Sequence, residues 1–257
     1  MVEIKFGGLR PSCLLDLSHL EVLKGWRRSN GTVELGAGVT YTDVLEHLGG
    51  DLPALAIASR TVGSPQIRNR GTIAGNLATA SPAGDAHPPL LATGATVRVE
   101  SMRGVRDVPV KRFFTGPKRN VLEPDELIRS VLVPRALGPQ QFSKVGTRNA
   151  MVIAVVSFAL ALDVPGRRVG TGIGSAAPTP IEAADAAAYL DRELARGEYW
   201  EDHRELPTAI VDGFAERVAA AARPIDDVRG AAGYRVHALH VMARRTLRWA
   251  WSALATD

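Results

Sequence analysis

The stretch Gly71–Asp85, GTIAGNLATASPAGD, is built mostly from Gly, Ala, Ser and Thr and closes on a single carboxylate. Residues this small let the backbone come close to whatever lies beside it. Two readings follow. In the first, Gly71 and Gly75 bring successive backbone N–H groups up to a ligand as an anion nest. Thr72, Asn76 and Ser81 then add short donors suited to phosphate or ribose oxygens, and Asp85 accepts from hydroxyls. In the second, the run only lets elements pack closely, with Asn76 and Asp85 capping turns or a helix that starts near AHPPLLA. Composition leaves both open.

Around this stretch the chain is ordinary in its gross chemistry. Its 257 residues suit one large domain or two modest ones. Hydrophobic residues at 46% and charged residues at 23% exclude a disordered or fibrous chain. No apolar run approaches the roughly 18 to 20 residues of a membrane helix, and MVEIKFGG lacks the apolar core of a signal peptide, so no membrane span and a cytoplasmic location are expected. Cys13 is the only cysteine, too few for a disulfide, an iron–sulfur cluster or a four-thiolate zinc site held by this chain. The net charge of +4 is dispersed, except in RVHALHVMARRTLRW, 235–249, where Arg235, Arg244, Arg245 and Arg248 share a helix with an apolar side. A solvated or partner-facing helix explains that segment more economically than nucleic-acid binding.

Periodicity supplies the elements. TVELGAGVT reads as a strand and YTDVLEHLG as a helix capped by Thr40 or Thr42. GAGVTY between them begins like a dinucleotide fingerprint, but Tyr41 stands where the third glycine belongs, so a tight strand-to-helix turn is the better reading. ATVRVES, with Val97 and Val99 on one face, and ELIRSVLVP read as strands, and FFTGPKRN as a packed loop. A boundary falls at PRALGPQQ, 134–141. Beyond it AMVIAVVSFALALDV, 150–164, reads as a strand buried on both faces and GRRVGTGIGSAAP as its hairpin partner. Two helices follow, one from Pro207 with Ile210, Val211, Phe214 and Val218 as its stripe, the other from about Tyr234 with Leu239, Met242, Thr246 and Trp249.

Taken with its neighbours, the opening stretch is specific. SPQIRNRGTIAGNLATASPAGD, followed by GATVRVES and then FFTGPKRNVLEPDELIRSVLVP, resembles the FAD-binding subunit of the molybdenum hydroxylases, the xanthine dehydrogenase and carbon monoxide dehydrogenase family. QFSKVGTRNAMVIAVVSFALAL, GIGSAAPTPIEA and GYRVHALHVMARRTLRWA resemble that family's C-terminal flavoprotein domain. The resemblance implies an α+β chain in two domains: an FAD-binding α/β domain of the PCMH/vanillyl-alcohol-oxidase-like type over 1–135, and a C-terminal α+β domain over 140–254 with a three- to four-stranded antiparallel sheet and helices.

It further implies that Gly71, Thr72, Ile73, Ala74, Gly75 and Asn76 wrap the diphosphate of FAD, that Asp85 contacts the flavin, that Ile128 is an apolar contact and that Lys144 is a polar one. The chain would be the flavin subunit of a heterotrimer, taking electrons from an iron–sulfur small subunit served by a molybdopterin-containing large subunit and passing them to NAD or another acceptor. One departure stands out. In the family a first strand and a glycine-rich loop precede the segment matching MVEIKFGG and clasp the diphosphate from the opposite side. Starting at Met1, the sequence is N-terminally truncated relative to that pattern and lacks the first βαβ portion. The expectation is either a true start further upstream or a subunit that keeps the fold and partner surface, binds FAD poorly and serves in assembly.

Overall fold

The computed structural model describes residues 10–254; the MVEIKFGG segment lies outside them. The first apolar run, CLLDLSHL, forms no helix or strand and leaves Leu14 and Leu15 exposed.

Regular structure begins with β1 (Trp26–Ser29) and β2 (Thr32–Gly36), a hairpin turned by Asn30 and Gly31 at positive φ. With β3 (Thr96–Ser101), β4 (Gly104–Pro109) and β7 (Leu127–Pro134) they form a five-stranded sheet in the order β1-β2-β7-β3-β4, antiparallel at every pairing. Alternation fixes its buried face: Val33, Leu35, Val97, Val99, Ile128, Val131 and Val133 all enter one core. Helices α1 (Tyr41–His47), α4 (Ile73–Thr79) and α5 (His87–Ala92) cover that face, while α2 (Pro53–Thr61) and the single turn α3 (Pro65–Arg68) lead from one to the next. Thr40, not Thr42, caps α1. Its hydroxyl accepts from the Asp43 amide at 3.1 Å, and the Asp43 carboxylate accepts from the Thr40 amide at 2.8 Å.

FFTGPKRN is not an irregular loop. Phe114–Gly116 (β5) and Arg119–Asn120 (β6) form a small hairpin, with Lys118 taking the positive φ that a tight turn needs. The Asn120 amide donates to Ala78 O at 2.9 Å and the Lys118 N–H to Ala80 O at 3.0 Å, so the hairpin closes over the end of α4.

The second unit is a three-stranded antiparallel sheet in the order β10-β9-β8, from β8 (Gln140–Val145), β9 (Val156–Asp163) and β10 (Arg168–Gly174). The long apolar run becomes a strand only from Val156, led in by Val155, whose N–H donates to Val145 O at 2.8 Å. Strand β9 is buried on both faces, and its faces differ. Val156, Phe158, Leu160 and Leu162 meet α6 (Ala184–Arg196), α8 (Thr208–Ala221) and α9 (Ala232–Leu254), with α7 (Tyr199–Asp202) at the margin. Ala159 and Ala161, with Phe142 of β8, turn the other way to meet Ala58 of α2 and Ala92 of α5. That small-residue face joins the two units.

Helix α8 buries the expected stripe, Ile210, Val211, Phe214 and Val218. On α9 the stripe is Leu239, Met242, Thr246 and Leu247 with Trp251; Trp249 lies on the exposed side instead. Arg235 also departs from the solvated arginine face, being only 2% exposed. Its guanidinium donates to Val155 O and Ser175 O, each at 2.8 Å, and to Asp227 Oδ1 at 2.5 Å. A buried cation so fully hydrogen-bonded is a brace across the ends of β9 and β10.

Candidate functional site

The stretch Gly71–Asp85 runs along the junction of the two units, and the structure first settles its conformation. Residues Ile73–Thr79 are α4, a helix and not a nest-forming loop, with Thr72 as N-cap and its hydroxyl accepting from the Gly75 amide at 2.9 Å. Several N–H groups that the sequence offered to an anion are spent inside the protein: Ile73 donates to Val39 O, and Asn76 to Thr72 O. Helical period sends Ile73, Ala74 and Leu77 into the core, and Ile128 of β7 belongs to that same core. Gly75 stays exposed, while Gly71, Thr72 and Asn76 are half-buried. The residues expected to touch a ligand therefore divide, with Ile73 and Ile128 behind the helix and Gly71, Thr72, Gly75 and Asn76 toward its open side.

Asp85 caps nothing. Its Oδ2 accepts from Lys144 Nζ at 2.6 Å, across the junction from β8, and lies 3.4 Å from the Thr61 hydroxyl at the end of α2. Lys144 also donates to Thr61 O at 3.2 Å. Both members of the pair are more than nine-tenths buried as side chains. The pair joins residues 59 positions apart, a proximity no spacing in the sequence could reveal. Burial raises the Asp85 carboxyl above the usual carboxylate range, although the Lys144 charge pulls the other way.

The neighbourhood holds several buried polar atoms without a partner among the described residues: Asp85 Oδ1, the Tyr41 hydroxyl, His87 Nδ1 and the Ser157 and Ser175 hydroxyls. Sequence reasoning passed over Tyr41 and His87. Tyr41 is the residue that spoils the dinucleotide fingerprint. In the structure its amide donates to Gly71 O at 3.1 Å, and a Cβ on Gly71 would stand 3.3 Å from its ring. His87 is fully buried, with Nε2 3.2 Å from Asn76 O and its ring tilted against Phe114 at 4.6 Å. Burial drives its pKa down to about 4, so the ring is neutral at pH 7.

Backbone contacts complete the junction. The Ser175 N–H donates to Pro82 O at 2.8 Å, and the Arg235 brace holds the carbonyl of that same Ser175. Beside Lys144 opens a cleft of about 450 Å³ whose walls include Thr61, Arg60, Arg68 and Arg148.

Residues 1–136 match the family model of the FAD binding domain in molybdopterin dehydrogenase, and residues 141–250 that of the CO dehydrogenase flavoprotein C-terminal domain. The chain belongs to this flavoprotein family. The FAD-binding flavoproteins that resemble it include the nicotinate dehydrogenase FAD-subunit of Eubacterium barkeri, 36% identical over 171 residues, which is 64% of this chain and 58% of that protein. The carbon monoxide dehydrogenase medium chain of Hydrogenophaga pseudoflava is 29% identical over 262 residues, 99% of this chain and 86% of that protein. A solved structure of carbon monoxide dehydrogenase from that organism superimposes with a TM-score of 0.88 at 28% identity, covering 99% of this chain and 87% of the other. The chain is thus an FAD-binding oxidoreductase subunit with the two-domain fold of the molybdenum hydroxylase flavoproteins.

The residues present fit FAD. A Cβ on Gly75 would stand 3.0 Å from the Thr72 hydroxyl and meet nothing else within 4 Å, so the backbone there is open to a ligand. One on Gly71 would stand 3.0 Å from Ile67 O and 3.3 Å from the Tyr41 ring, so that glycine serves close packing. Asp85 and Tyr41 add buried oxygens that the protein leaves unpartnered.

Proposed function

We propose that this chain is the flavin station of a cytoplasmic molybdenum hydroxylase, taking electrons from an iron–sulfur subunit that a molybdopterin-containing subunit reduces, and releasing them to NAD or another acceptor. When bound, FAD supplies the redox chemistry. The chain's own residues bind and orient it. Gly71, Thr72, Gly75 and Asn76 hold the diphosphate through backbone and short side chains, Ile73, Ala74 and Ile128 back that helix from the core, and Asp85 and Lys144 form the polar end of the site.

The observation that carries this reading is the buried Asp85–Lys144 pair, 2.6 Å across the junction of the two units and flanked by the small-residue helix. A charge pair taken out of water is costly unless its remaining polar atoms are satisfied; Thr61 serves Lys144 and Asp85 Oδ2, and a bound polar group would give Asp85 Oδ1 the interaction it lacks. The basic cleft beside Lys144 supports an anionic acceptor such as a nicotinamide dinucleotide. Among the described residues no helix is long and apolar enough to cross a membrane.

The test is purification of the assembled complex with tagged chain, followed by its visible spectrum. About one flavin per chain, bleached by the substrate of the molybdenum subunit and restored by NAD, is the expected result. Partners that co-purify without stoichiometric flavin would establish the assembly-subunit alternative instead.

A further inference from the structure

We propose that the Tyr41 hydroxyl is a further cofactor-binding group, which together with the free oxygen of Asp85 grips a hydroxyl-bearing segment of FAD and not its diphosphate. The inference rests on the FAD-binding reading of this site.

Tyr41 is 3% exposed and Asp85 8%, yet among the described residues neither the phenol oxygen nor Asp85 Oδ1 has a hydrogen-bond partner, the other included. Their placement is no accident of a loose loop. The Tyr41 amide is bonded to Gly71 O, Thr40 and Thr72 form an antiparallel bridge, and the phenol ring lies against Gly71. This fixes Tyr41 against the first residue of the small-residue stretch whose last residue is Asp85. Burial raises the phenol above its ordinary pKa and the Asp85 charge adds to it, so the hydroxyl stays protonated. Orphaned polar atoms buried to this extent are rare in a native fold, because each forgoes its bond to water.

The chemistry of the pair selects what it can bind. An ionised carboxylate only accepts, while a neutral phenol both donates and accepts. Both match the hydroxyls of a polyol. A phosphate oxygen would meet the Asp85 charge at close range with Lys144 already engaged at 2.6 Å, and like charges there repel. FAD carries hydroxyls on its ribityl chain and on its adenosine ribose, and either can occupy this place.

The test is Tyr41→Phe in the full chain, followed by FAD titration and by thermal melting of the chain without FAD. Removing a hydroxyl that no protein group uses leaves the cofactor-free melting temperature unchanged or raises it, whereas FAD dissociates about tenfold more readily, the effect of one lost hydrogen bond. Competition against FAD by FMN and by ADP separates the two sources: weaker competition by FMN assigns the contact to the ribityl chain, weaker competition by ADP to the ribose. FAD affinity within twofold of wild type, with both competitors unaffected, overturns the inference while leaving the FAD reading intact. Failure of the wild-type chain itself to bind FAD overturns both.

Discussion

Two glycine-rich stretches meet at the junction of the units, and they use glycine for opposite ends. In β10, RVGTGIG, a Cβ on Gly170 would run into Ala92 O, one on Gly172 into Pro88 O, and one on Gly174 to 3.0 Å from the Pro88 ring. These glycines make room for protein, since the backbone of α5 lies directly on the strand. In GTIAGN, a Cβ on exposed Gly75 would meet only the Thr72 hydroxyl, at 3.0 Å. Small residues there leave space that the rest of the chain does not fill. Of the two ways a sequence can explain such runs, close packing is what β10 shows, and a ligand cradle is what we propose for GTIAGN.

The packed glycines of β10 should tolerate substitution least. Gly172→Val drives a branched side chain into the α5 backbone, which cannot move aside as a flexible side chain could, and should cost more than about 3 kcal/mol. The measurement is a fall of about 10 °C in melting temperature. A variant that melts with the wild type would show that the two units do not meet as described.

Next in size is Lys144→Met, which strands a buried carboxylate. A loss of about 3 kcal/mol is expected in urea unfolding at pH 7, and Asp85→Asn added to it should recover most of that loss. If the double variant is as unstable as the single one, the pair is not the source of the effect.

Acid should expose the neighbouring histidine. The folded state holds His87 near pKa 4 against 6.5 unfolded. Its contribution is therefore complete above pH 6.5 and fades as pH falls toward 4, by about 3 kcal/mol in all. Asp85, raised by burial, has the opposite sign: its protonated form is favoured in the fold, so its effect is to lower stability as pH rises above the unfolded value. His87→Gln should flatten the acid limb of the stability profile, and an unchanged limb would contradict the burial of a neutral ring. The smallest effect sharpens the open end of the comparison. Gly75→Ala should alter stability by no more than about 1 kcal/mol, the helix gaining what the Thr72 cap yields, while loosening the hold on FAD.

How much of this was legible in the sequence follows from the range of the forces involved. Alternation found β2, β3 and β7 because each buries one face, and the large–small alternation of VSFALALD marks a strand with a different neighbour on each side. Helix α4 was hidden because Gly75 and β-branched Ile73 lower local propensity. It forms because Thr72 caps it and Ile73 and Leu77 reach the core. Of the site residues, Asp85 and Lys144 could be named from resemblance, but their pairing is tertiary. Tyr41 carried only a negative signal, as the residue that broke a motif. Arg235 looked like part of a charged helix face, because what neutralises it is a loop carboxylate and two carbonyls from β-strand ends.

We propose that the open face of α4 and the buried pair hold FAD, and FAD titration of the full chain against Asp85→Asn, with circular dichroism to confirm that both are folded, tests this. Wild type should bind one FAD per chain, and the variant, equally folded, should bind at least about tenfold more weakly. Equal affinity in the two, or no binding by the wild type, would contradict it.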